Sequence, residues 1–107
     1  MNTVDNYDNV LNFIKDNKKK LDGLAHLTIR TKVEVQIKGK TCLDTTEVNF
    51  AEKSRTEGKY YVVTPNSLKK YYQYDSLSSM FQDVQYTNKC LQISDSKTGL
   101  IVKIFRI

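Results

Sequence analysis

The chain has 107 residues, a net charge of +5 at pH 7 and 39% hydrophobic residues. This length is near the commonest domain size and is enough for one buried core, and the composition lies outside the range of disordered chains. We therefore expect one globular domain over residues 1–107, without a second domain.

The start of the chain is acidic and polar, whereas a secretory signal begins with a basic segment followed by an apolar run. No apolar stretch approaches the length that spans a bilayer. We therefore expect a soluble cytoplasmic protein that contacts no membrane. Only two cysteines, Cys42 and Cys90, are present, so reduced thiols are expected, with one disulfide between them as the alternative.

The first predicted element is an amphipathic helix over residues 3–20. Its apolar residues recur with helical spacing, and they are Val4, Tyr7, Val10, Leu11 and Ile14. Three basic residues, Lys18, Lys19 and Lys20, lie at its C-terminal end, where a cation interacts favourably with the helix dipole.

A β-hairpin follows, because apolar and polar residues alternate over 27–37 and again within 41–50. A two-residue loop at Lys38-Gly39 predicts these pairs: Val35 with Cys42, Thr31 with Thr46, Ile29 with Val48 and Leu27 with Phe50 on one face, and Arg30 with Glu47 on the other. This register leaves Asp44 on the apolar face. Either a β-bulge lies near residues 43 and 44, which we favour, or Asp44 has a functional role.

The next predicted elements are a strand over 59–64 and a helix that opens at Pro65. The apolar stripe of this helix contains Leu68, Tyr71 and Tyr72. The following apolar residues, Leu77, Met80, Phe81 and Val84, fall on the opposite side of a straight helix. We therefore expect a break near residue 74, with Asp75 or Ser76 capping a second short helix.

Strand patterns return over 84–86, 90–94 and 100–107, with a turn over 94–99. Because the strands 59–64 and 100–107 are apolar on both faces, we expect both inside the sheet. The pattern predicts an α+β fold in the order α-β-β-β-α-α-β-β. It consists of a mainly antiparallel sheet of about five strands, with an N-terminal helix and one or two short helices on one face.

Catalytic chemistry finds little support in the sequence. The only histidine, His26, falls at the open end of the hairpin near Ala51, too far from Cys42 for a nucleophile and its base. One histidine and two distant cysteines do not make a structural zinc site, and no glycine-rich phosphate loop is present. We therefore expect no catalytic residue, no metal and no cofactor, and a protein that is not an enzyme.

Binding is the remaining class of function. Two candidate partner-binding surfaces stand out: the outward side of the second helix, with Lys69, Lys70, Gln73 and Tyr74, and the lysine run Lys18, Lys19 and Lys20. We expect a protein partner, as for a small regulator, inhibitor or assembly subunit, because exposed tyrosines are typical of interface hot spots. The alternative is sequence-nonspecific binding of nucleic acid through lysine charge and tyrosine stacking.

The basic residues are 14 lysines and 3 arginines, a skew typical of AT-rich genomes. An inhibitor of a host enzyme, encoded by a phage or mobile element, is therefore one form of the protein-binding hypothesis. Homo-oligomer formation is a further expectation, which depends on strand 59–64 or 100–107 lying at a sheet edge.

Overall fold

A computed structural model describes residues 2–17, 26–37, 41–54, 59–64, 72–81, 84–87 and 89–106. Its elements in chain order are β1 (Asn2–Asp5), α1 (Tyr7–Asn17), β2 (His26–Ile37), β3 (Thr41–Ser54), β4 (Lys59–Val63), β5 (Tyr72–Tyr74), α2 (Leu77–Met80), β6 (Gln85–Tyr86), β7 (Cys90–Asp95) and β8 (Leu100–Phe105). The α+β class is as predicted. The balance differs, because these residues form eight strands and only one helix longer than a single turn.

The strands form one sheet in the order β5-β4-β3-β2-β8-β7-β6, with antiparallel neighbours throughout. The first strand, β1, lies outside this path and pairs in parallel with residues 27–30 of β2. The last strand, β8, pairs with residues 33–37 of β2. Since β3 occupies the other edge of β2, β1 and β8 lie one after the other along the same edge.

The N-terminal helix starts later than predicted, at Tyr7. Residues 2–5 are a strand instead, in which Val4 lies opposite Ile29. Asn6 separates the two elements, with a positive φ of 61° that asparagine tolerates better than most residues. Its side-chain oxygen accepts a hydrogen bond from the Asn9 N–H at 3.0 Å and satisfies one of the unpaired donors of the first turn. The predicted end of the helix at residues 18–20 lies outside the described residues.

The predicted register of the β2–β3 hairpin is right in its open half. His26 pairs with Ala51, Ile29 with Val48, and Leu27 with Phe50. The polar pair was also predicted, and Arg30 Nε donates to Glu47 Oε1 at 2.9 Å on the exposed face.

The register is wrong in the half nearer the turn. Ile37 pairs with Thr41, so the loop between the two strands has three residues instead of the predicted two. Val35 therefore lies opposite Leu43 instead of Cys42. A β-bulge joins the two halves, because residues 31 and 32 of β2 together oppose residue 46 of β3. The bulge is thus on β2, not near residues 43 and 44. Asp44 lies opposite Glu34 and is exposed, which removes the reason for giving it a special role.

Two strands were expected inside the sheet, and both lie there. β4 is flanked by β3 and β5, and β8 is flanked by β2 and β7. Neither strand therefore offers the apolar edge from which homo-oligomer formation was inferred.

The helix predicted from Pro65 lies mostly in residues outside the description, but its expected end is wrong. Residues 72–74 form β5, in which Tyr72 pairs with Val62 and Tyr74 with Tyr60. The short helix α2 follows as predicted. Ser76 caps it through a capping box, in which the Ser76 side chain accepts from the Ser79 N–H and the Ser79 side chain accepts from the Ser76 N–H.

The core is one cluster of buried side chains between the sheet and the two helices. α1 contributes Tyr7, Val10 and Ile14, and α2 with the next residue contributes Leu77, Met80 and Phe81. The strands contribute Leu27, Ile29, Val33, Val35, Val48, Phe50, Val62, Tyr74, Leu91, Ile93, Leu100, Val102 and Ile104. Of the four apolar residues predicted on the second helix, Leu77, Met80 and Phe81 are therefore core residues. The fourth, Val84, lies beyond α2 and is only partly buried against the core.

The predicted turn between β7 and β8 is built around Asp95, which is buried. Its carboxylate accepts hydrogen bonds from the Thr98 hydroxyl at 2.7 Å and the Thr98 N–H at 3.3 Å. Gly99 then adopts a φ of 74°, which favours glycine, and its N–H donates to the Asp95 carbonyl. At the exposed tip, the hydrogen bond and charge of Asp75 raise the pKa of Lys97, whose Nζ lies 2.9 Å from Asp75 Oδ2.

Candidate functional site

The seven predicted partner-binding residues fall into two groups. Lys69, Lys70, Lys18, Lys19 and Lys20 lie outside the described residues. Of the other two, Gln73 is exposed on β5. It lies opposite Tyr61 of β4, which in turn lies opposite Ala51 of β3.

Tyr74 is a correction, because it was expected on an outward helix face and is instead in a strand with its side chain 1% exposed. Its ring meets Phe50 edge-on at 5.9 Å and lies 5.7 Å from the ring of Tyr60. Burial is the main cause that raises the pKa of its hydroxyl, with smaller contributions from the charge of Tyr60 when that side chain ionises and from the charge of Glu52, so the hydroxyl stays neutral. The side chain of Tyr74 therefore belongs to the core and not to an exposed contact patch with Lys69 and Lys70.

A different surface brings binding residues together where β8 ends. Arg106 directly follows β8, and its N–H donates to the carbonyl of Lys89 at 3.1 Å. The guanidinium lies over the ring of Tyr7, 4.4 Å from the centroid, within the range of a cation–π contact. Its Nη1 atom also lies 3.2 Å from Asp8 Oδ1. Three elements, α1, β8 and the turn before β7, thus hold one arginine in place.

Tyr86 directly precedes the turn in which the Lys89 carbonyl accepts a hydrogen bond from the Arg106 N–H. Tyr86 ends β6, and 54% of it is exposed, which makes it the only exposed large hydrophobic residue among those described. The Thr87 N–H donates to the Cys90 carbonyl, and the Cys90 N–H donates to the Thr87 hydroxyl, which closes the turn. Tyr86 and Lys89 therefore project from a short, hydrogen-bonded turn.

We call Tyr7, Asp8, Tyr86, Lys89 and Arg106 the Arg106 patch. Its two cations and one carboxylate leave a small positive excess, and the side chain of Arg106 is still 56% exposed despite its stacking and ion pair. Asp8 also lies in the first turn of α1, where a negative charge interacts favourably with the helix dipole. The patch can present an aromatic ring and a pre-positioned guanidinium to a partner.

Across all described residues, including the patch, positive and negative charges balance. The described residues contain nine basic and nine acidic residues, so the net +5 of the chain comes from eight basic and three acidic residues outside them. A long positive stripe is therefore not a property of the described residues, and their positive charge is local.

Groups for catalysis or metal binding are not gathered in the described ranges. No three His, Cys, Asp or Glu side chains in those ranges lie close enough together to hold a metal ion. His26 pairs with Ala51, as predicted, whereas the backbone of Cys42 pairs with Gln36, ten residues further along β2. Cys90 is a buried free thiol. No described helix is both long and apolar enough to cross a membrane.

Comparison with known proteins gives no relative. No protein-family model, no curated protein and no solved structure matches the chain.

Sequence reasoning missed the Arg106 patch because its members are far apart along the chain. Two local signals point towards it. Arg106 is a cation placed directly after a strongly apolar strand, and Tyr86 is an aromatic residue directly before a turn.

Proposed function

We propose that the protein is a small protein-binding module, acting as a regulator, inhibitor or assembly subunit, and not as an enzyme. The observation that supports this function is the guanidinium of Arg106, held over the ring of Tyr7 and still largely exposed, with the exposed Tyr86 at the start of the turn to which the Arg106 backbone is hydrogen-bonded. Tyrosine and arginine are the residue types most enriched in interface hot spots, together with tryptophan. A tyrosine side chain has few rotatable bonds, so Tyr86 loses little side-chain entropy when a partner binds.

The stacking of Arg106 on Tyr7 matters for this proposal. A free arginine side chain loses rotamer freedom on binding, whereas this one is already held by a ring, by Asp8 and by its own backbone hydrogen bond to Lys89. A carboxylate or carbonyl of the partner can accept from the remaining guanidinium donors, since Arg106 uses only part of its five N–H groups on Asp8. The apolar part of the contact falls to Tyr86.

The test compares capture of a partner by the full chain and by two variants. The protein is immobilised and exposed to an extract of the cells that carry it, or of their host, and each bound protein is quantified. We expect Tyr86→Ala with Arg106→Ala to reduce capture of a specific partner at least about tenfold. The matched control is Lys97→Ala, which removes an exposed cation at the other end of the β7–β8 hairpin and should leave capture unchanged.

A parallel titration with a fluorescent nucleic acid of 20 nucleotides, single- and double-stranded, distinguishes nucleic-acid binding from protein binding. Binding that weakens steeply with salt and is lost in the double variant would replace the proposal with nucleic-acid binding. Equal capture of every partner by the wild type and the double variant would refute the role of the Arg106 patch.

A further inference from the structure

The ion pair between Arg106 and Asp8 lies open to solvent. Nη1 of Arg106 is 3.2 Å from Oδ1 of Asp8, and the two side chains are 56% and 68% exposed. Ion pairs with this much exposure contribute little to stability, because water screens the charges and the long side chains lose rotamer freedom. The guanidinium can therefore exchange Asp8 for another carboxylate at a small cost in free energy.

Arg106 stays in place during such an exchange. Its backbone N–H donates to the Lys89 carbonyl at 3.1 Å, and its guanidinium lies 4.4 Å from the centroid of the Tyr7 ring, which is a buried part of the core. Neither contact involves the carboxylate of Asp8. The planar guanidinium is thus held at the surface with or without Asp8, and this fork matches a carboxylate through two parallel hydrogen bonds.

Asp8 also has a favourable position that does not depend on Arg106. It lies in the first turn of α1, where a negative charge interacts favourably with the helix dipole. A carboxylate of Asp8 that leaves the guanidinium therefore keeps part of its stabilisation, which further lowers the cost of the exchange.

The charge of the patch favours an acidic partner. Arg106 and Lys89 are exposed cations, and Asp8 is the one carboxylate among the five patch residues. A partner that covers these groups removes them from water, where an uncompensated positive charge costs free energy. One carboxylate of the partner compensates that charge. A nucleic acid gains affinity from many cations together, whereas the charges of the described residues balance.

We propose that the Arg106 patch binds an acidic side chain of a partner protein, whose carboxylate replaces Asp8 on the guanidinium of Arg106. This inference rests on the proposed function and names the chemical group that the partner presents. Asp8 is then an internal competitor, which occupies Arg106 in the free protein and lowers the affinity for an acidic partner. No covalent step is involved.

The test begins with selection from a library of short random peptides displayed on phage. The full chain is the target, and peptides that also bind the Arg106→Gln variant are discarded. We expect the remaining peptides to share an aspartate or glutamate at one position. A synthetic peptide with the shared sequence is then titrated by calorimetry at constant ionic strength, and replacing its shared acid by the corresponding amide should weaken binding about tenfold or more.

Variants of the protein decide the role of Asp8. Asp8→Asn should tighten binding of the synthetic peptide about two- to fivefold, which corresponds to the loss of one exposed ion pair. Asp75→Asn is the matched control, because it removes another exposed, ion-paired carboxylate with the same change in net charge and should leave the Kd unchanged. Arg106→Lys keeps the charge but lacks the planar fork, so it should weaken binding about fivefold or more.

The inference is overturned if no selected peptide depends on Arg106, or if the Arg106-dependent peptides share no acid. It is also overturned if Asp8→Asn leaves the Kd unchanged, or if Asp75→Asn tightens binding as much as Asp8→Asn does, since the peptide would then respond to net charge alone. If capture of a protein from the extract still depends on Tyr86 and Arg106, any of these results leaves the proposed function intact and refutes its acidic partner.

Discussion

Replacing Asp95 by alanine is the sharpest test of how the β7–β8 hairpin is stabilised. The buried carboxylate accepts two hydrogen bonds from Thr98, and the 2.7 Å bond from the hydroxyl is the shorter of the two. Hydrogen bonds to a charged group contribute more than neutral ones, and their loss leaves Thr98 donors unsatisfied, so we expect a destabilisation of about 2–3 kcal/mol. For a chain of this length, that lowers Tm by about 10–20 °C.

The assay is urea unfolding followed by circular dichroism at neutral pH. With a typical m value, a loss of this size moves the midpoint down by about 1–2 M urea. Asp95→Asn keeps the shape and one acceptor oxygen, so it should cost about 1 kcal/mol. Asp75→Ala removes the exposed ion pair with Lys97 at the tip of the same hairpin and should leave the urea midpoint close to that of the wild type. The reasoning is wrong if Asp95→Ala is no less stable than Asp75→Ala.

Three further outcomes follow from single positions. Gly99→Ala should destabilise the protein by about 1 kcal/mol, because φ at this position is positive. An unchanged midpoint of urea unfolding would contradict this prediction. Ser76→Ala should cost about 1 kcal/mol by removing the cap of α2, whereas Ser76→Asp, which can still cap, should cost less. The folded state keeps the Tyr74 hydroxyl protonated, while the unfolded chain ionises near pH 10, so stability should fall as pH rises above about 10. Urea midpoints at pH 8 and pH 11 should show a smaller fall for Tyr74→Phe, and an equal fall in both proteins would contradict the burial of this hydroxyl.

The sequence was sufficient to predict those features of the fold that depend only on the spacing of hydrophobic residues. The pairs Ile29 with Val48 and Arg30 with Glu47 follow from strict alternation on both strands. The burial of Leu77 and Met80 follows from the change of helical face after residue 76. These features depend on residues close together in the chain.

Features that depend on distant pairing were missed. The bulge at residues 31 and 32 leaves no mark in the alternation of β2, so the register near the turn was wrong. Residues 72–74 fit a helical stripe, but the free edge of β4 makes them a strand, in which aromatic residues are favourable. Val4 likewise fits a helix and instead lies opposite Ile29 in a parallel pair.

The candidate site shows the same limit. The Arg106 patch joins residues from both ends of the chain, so it cannot be inferred before the sheet order is known. The exposure of Gln73 was predicted, whereas the burial of Tyr74 follows only from its place beside Tyr60.

The shared edge of β2 affects how the chain folds during synthesis. Residues 33–37 of β2 pair on this edge with residues 100–104, which are synthesised after β1 and β3. Until β8 is made, residues 33–37 of β2 have unpaired backbone groups on this edge. β1 can already pair with residues 27–30, and β3 can already pair with the opposite edge of β2. Unpaired strand edges of this kind promote association between incomplete chains. A nascent chain that ends before residue 100 should therefore aggregate or recruit chaperones, and the emergence of β8 completes the central pairing of the sheet.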